Sequence, residues 1–117
     1  MKNALIRLRS EASPKPSRRP GLAETILLGV EDCRTHNVVL VTVEAGSEVE
    51  VHEVSTHETL YVLSGAYELV LAEGNRNLGP GDLAYFEPGS AHGLACTSGP
   101  GQIVIIFAPP RLAPVPS

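Results

Sequence analysis

The chain has 117 residues, 43% hydrophobic and 19% charged, with 11 glycines and 10 prolines; that fits one turn-rich globular domain and excludes a disordered chain. No apolar run reaches the roughly 20 residues of a membrane span, and arginines interrupt the N-terminal MKNALIRLRS where a signal peptide would have its apolar core, so the cytoplasm is the expected compartment. The net charge of −4 hides an asymmetry: residues 1–20 hold six basic side chains against Glu11, leaving only Arg34, Arg76 and Arg111 against twelve acids.

Residues 1–22 read as a basic, proline-rich arm. In SPKPSRRPG (13–21) each proline fixes φ and lacks an N–H donor, so no regular ladder is expected there. The arm has no aromatic residue to stack on bases, so nucleic acid is not an expected partner. It is expected instead to lie on the acidic surface of its own or a neighbouring subunit.

Residues 23–110 read as the folded domain. Short β-type segments follow one another: AETILLGV, HNVVLVTVEA, EVEVHEV, HETLYVLSG, AYELVLAE, NRNL, LAYFE, AHGLACT and QIVIIFAPP. Between several of them stand turn signals: Gly46-Ser47, Gly74-Asn75, GPGD, PGS and SGPG. No stretch carries a 3.6-residue apolar period. Strands of this length and spacing predict an antiparallel sandwich or barrel. IVIIF (103–107) is continuously apolar, the pattern of a strand covered on both faces; a second subunit could supply one cover, so a homodimer is expected. Residues 111–117 form a proline-rich tail. Cys33 and Cys96 make no CxxC pattern and are expected to be reduced thiols.

The residues able to carry chemistry cluster in two places. His52, His57 and Glu58 lie together; His92 lies in the Gly/Pro-rich GDLAYFEPGSAHG. Two histidines and a carboxylate can form a facial triad suited to Fe(II), and also to Mn, Ni, Co or Zn. Taken singly, a histidine is more often a surface or satisfied core residue than a ligand. Strand alternation in EVEVHEV puts Val49 and Val51 on one face and Glu48, Glu50, His52 and Val54 on the other. His52 can face a cavity only if both faces are covered or a bulge intervenes.

The two blocks resemble the paired signature motifs of the cupin superfamily. The first, G-x5-H-x-H-x3,4-E-x6-G, matches Gly46, His52, Glu58 and Gly65, with Val54 in place of the second His. The second, G-x5-P-x-G-x2-H-x3-N, matches Gly81, Gly89 and His92, with Glu87 in the Pro position and Cys96 in that of the Asn. The resemblance implies a small antiparallel jelly-roll β-barrel that binds a divalent metal, Fe2+ foremost. By position its ligands are His52, Glu58 and His92. His57 could replace the missing ligand only if the 55–57 turn is irregular. By parity, Leu60 and Val62 should point inward with Glu58, and Leu94 and Cys96 with His92. Glu50 is a candidate acid at the rim and Tyr85 a candidate hydroxyl; a solvated charge and a packing ring are their plainer roles. The activities the resemblance implies are an oxygenase-type reaction on a small polar molecule, a metal-dependent isomerase or lyase, or non-catalytic small-molecule sensing.

Overall fold

The structure, a computed structural model, describes residues 4–111; most of the expected tail, 112–117, lies outside the described residues. Eight strands follow in order: β1 (Lys15–Pro16), β2 (Leu22–Leu28), β3 (Asn37–Val43), β4 (Glu48–Glu53), β5 (His57–Val70), β6 (Arg76–Leu78), β7 (Leu83–Phe86) and β8 (Ala91–Ala108). All pairings are antiparallel. The result is a small antiparallel jelly-roll β-barrel.

Two strands are longer than the sequence predicts. HETLYVLSG and AYELVLAE merge into β5, and AHGLACT and QIVIIF merge into β8. SGPG does not reverse the chain. It breaks the register instead: Ser64 faces Gln102, whereas Ala66 faces Ser98. Gly65 sits in this break at φ 89°, a conformation that suits a residue without Cβ.

The break lets β5 and β8 serve both walls of the barrel. The first half of β5 lies between β7 and the second half of β8, which also pairs β3, and β3 pairs β2. The second half of β5 lies between β6 and the first half of β8, which also pairs β4. The inner faces enclose a core that includes Val39, Val41, Leu60, Val62, Tyr67 and Ile103, all nearly inaccessible to water. Each such side chain contributes about 1.5–3 kcal/mol of burial.

In IVIIF, Ile103 and Phe107 are buried and the three residues between them are half-buried. The arm meets the body: Arg7 Nη2 lies 2.8 Å from Asp32 Oδ2, and Arg7 Nε donates to the Leu27 carbonyl. Pro16 does join a ladder, against the expectation for 13–21, because β1 is only two residues long and pairs at the edge of β2.

Candidate functional site

One row of residues across the wall organises the site. Glu58 on β5 stands opposite Phe86 of β7 on one side and Phe107 of β8 on the other. All three side chains are buried. Leu60 and Val62 continue the inward face of β5, and Tyr61 and Leu63 point outward. Leu94 and Cys96 are buried along with His92. Cys96 is part of the apolar core.

His52 reaches the same space through a bulge. Val49 pairs with Leu94 and His52 with His92, so three steps on β4 match two on β8. The extra residue reverses the alternation. Val49 and His52 both line the cavity, and Val51 turns outward, 56% exposed. Gly93 makes the room. A Cβ on Gly93 would lie 2.9 Å from the Val49 carbonyl oxygen and 3.1 Å from Val51 N.

The two imidazoles are held alike. Nδ1 of His52 lies 3.0 Å from the Glu50 carbonyl oxygen, and Nδ1 of His92 lies 3.3 Å from that of Ser90. A carbonyl only accepts, so Nδ1 carries the proton in each neutral ring and Nε2 carries the lone pair. Their ring centroids are 5.0 Å apart. Phe86 stacks on His92 at 3.7 Å and 9°. Burial pushes the His52 pKa down, with Arg19 and His92 adding to this; the Glu50 carbonyl and Glu58 oppose it. The net shift favours the neutral imidazole.

Glu58 is 5% exposed and His92 4%. His92 Nε2 lies 3.2 Å from Glu58 Oε1, yet Oε1 has no hydrogen-bond partner among the described residues. His92 thus turns Nε2 towards a buried carboxylate oxygen. Two acceptors at that distance need a proton or a cation between them. Two imidazole nitrogens and one carboxylate are donor types that divalent metals take. Among the described residues no three His, Cys, Asp or Glu side chains already stand as a closed ligand group. His92 Nε2 and Glu58 Oε1 are within 3.2 Å of each other, and the His52 ring stands 5.0 Å from that of His92.

The other sequence candidates lie elsewhere. His57 is exposed on the outer side, its Nδ1 2.6 Å from the Tyr85 hydroxyl and its ring stacked on Tyr85. The structure brings neither residue to the cavity. Glu50 is exposed, and its carbonyl, not its carboxylate, serves His52. Val54 lines the cavity as an apolar wall.

The cavity holds about 240 Å³. Its lining includes groups the motifs do not mark: Arg19 from the arm, Glu24 from β2 and Arg111 after β8. Arg111 lies over the Phe107 ring, Cζ 4.1 Å from the centroid, and its Nη2 is 3.4 Å from Glu24 Oε1. Burial raises the Glu24 pKa against the pull of Arg111 and Arg19, and burial lowers that of Arg111 against Glu24 and Glu58. Neither arginine sits in a recognisable sequence pattern; what singles out Arg111 in the sequence is only the scarcity of basic residues beyond position 20.

The family described as Cupin domain matches residues 39–107. Among solved structures, KdgF from Halomonas sp. superposes with a TM-score of 0.81 at 23% identity, covering 92% of this chain and 96% of that one. An RmlC-like cupin from Shewanella frigidimarina NCIMB 400 gives 0.81 at 21% identity, covering 93% and 94%. A predicted oxalate decarboxylase from Thermotoga maritima gives 0.78 at 18% identity, covering 89% and 98%. At these identities the likeness establishes the fold. No curated protein sequence matches the chain.

Proposed function

The chain belongs to the cupin family, and on that premise we propose that it is a metal-dependent enzyme acting on a small polar molecule, with His52, Glu58 and His92 holding a divalent ion. The observation that carries this reading is the unpartnered Oε1 of Glu58, buried and 3.2 Å from His92 Nε2. Fe2+ suits the donor set best, with Mn2+, Ni2+ or Zn2+ as alternatives. When bound, such an ion supplies a Lewis acid or an O₂-binding centre, and an oxygenase-type reaction is the favoured chemistry. The protein's own part is to fix both imidazoles through Nδ1 and to keep water from the carboxylate with Phe86 and Phe107. At about 30 Å³ per water, the cavity of about 240 Å³ admits a small metabolite.

A second reading is non-catalytic binding or sensing of a small molecule. It is favoured by Val54, which lines the cavity where the family places a further histidine. Elemental analysis of anaerobically purified protein beside Glu58→Ala tests the metal. Metal in wild type and at least tenfold less in the variant supports the trio. Equal content in both removes it. Turnover of candidate substrates by the metal-loaded protein then separates enzyme from sensor.

The half-covered Val104 and Ile106, next to exposed Tyr61, Leu83 and Tyr85, support a homodimer through this outer face. Light scattering checks it; a monomer at micromolar concentration removes it.

A further inference from the structure

The cavity is two-ended. One end is the His52–Glu58–His92 trio. The other is Arg111, with Arg19 also in the lining. Phe107 joins them: it stands opposite Glu58 in the β5–β8 register, and its ring carries the Arg111 guanidinium. The guanidinium thus sits one residue from the trio. Its ion pair with Glu24 uses only Nη2, at 3.4 Å. Arg111 Nε is buried and has no hydrogen-bond partner among the described residues. A buried donor left idle carries a cost, unless it serves a ligand. Nε and Nη2 together form the planar fork that matches a carboxylate, so a ligand that uses both takes the place of Glu24 on Nη2. The Arg111 backbone is also fixed, because Asn37 Nδ2 donates to its carbonyl at 3.2 Å. The aromatic ring beneath and the anchored backbone hold the guanidinium in the cavity wall.

We propose that this site takes a small carboxylate, its anionic group gripped by the Arg111 fork with Arg19 adding charge, and its other end directed at the trio. Glu24 is the counter-ion that keeps Arg111 in place between ligands. Of the acids around the cavity, Glu24 pairs with Arg111 and is the group the ligand displaces, Glu58 faces His92, and Glu53 lies exposed on β4. The inference rests on the reading of this cavity as a small-molecule site and names the class of molecule.

The test is calorimetric titration of purified protein, with and without added Mn2+, using succinate and its neutral counterpart succinamide. The expected result is heat with succinate and none with succinamide. Arg111→Gln and Arg19→Gln should each weaken succinate at least tenfold while metal content stays at the wild-type level. If Arg111→Gln fails to fold, Arg111→Lys keeps the charge but loses the fork, and should still weaken succinate several-fold. Equal binding of succinate and succinamide, no succinate binding at millimolar concentration, or succinate binding indifferent to both arginines overturns the proposal. Arginine-dependent succinate binding in a protein that takes up no metal upholds it and defeats the metal reading alone.

Discussion

Gly93 on β8 leaves room for the backbone of Val49 on β4, and that vacancy aims His52 into the barrel. The contact is tight, with the Val49 carbonyl oxygen 2.9 Å from where a Cβ of residue 93 would stand. A metal-ligand candidate on one strand therefore depends on a missing side chain on its neighbour.

Gly93→Ala should force the bulge to shift. Overpacking of this kind costs about 1–3 kcal/mol, read as a lower denaturant midpoint at unchanged slope. His52 would lose its aim, so metal uptake should fall along with stability. A variant with wild-type stability and wild-type metal content would show that the bulge does not depend on Gly93.

Val54→His should add a donor to the trio. Val54 already lines the cavity, so the new ring needs no change of backbone. Metal affinity, measured by competition with a chelator, should rise at least tenfold. No gain would mean that the 54 side chain cannot reach the ion.

Gly65→Ala should damage the join between the two halves of β5. The residue has φ 89°, and a Cβ there would lie 2.9 Å from both Gly101 Cα and the Tyr67 hydroxyl. The left-handed conformation alone costs about 1–2 kcal/mol for a residue with a Cβ, and the contacts add to it. Chemical unfolding measures the loss; a change within error would refute the strain.

Alkaline pH should unfold the protein through Tyr67. Its hydroxyl donates to the Ser64 carbonyl at 2.9 Å, and burial pushes its pKa up to about 12 from an ordinary 10.0. The folded state keeps the phenol proton where the unfolded chain has released it. This contribution to stability is complete below pH 10 and is lost as pH rises through about 12. Tyr67→Phe should flatten that alkaline limb of the stability curve. If the limb persists unchanged in the variant, another group causes it.

The sequence by itself determined where most strand residues lie, their antiparallel class and the inward parity of two segments. Alternation is a local property: once Glu58 points inward, Leu60 and Val62 must follow, as Leu94 and Cys96 follow His92. The glycine spacing of the two motifs also made the cupin resemblance legible. Alternation could not aim His52, because a bulge reverses it and depends on a residue of another strand. Nor could turn signals reveal that SGPG bends one strand between two walls; that depends on Gly65 and Gly101 meeting across the ladder. Arg19 and Arg111 read as parts of an arm and a tail. Only closure of the barrel brought them to one cavity with Glu58, because side chains so far apart in the chain meet through packing and not through any local periodicity.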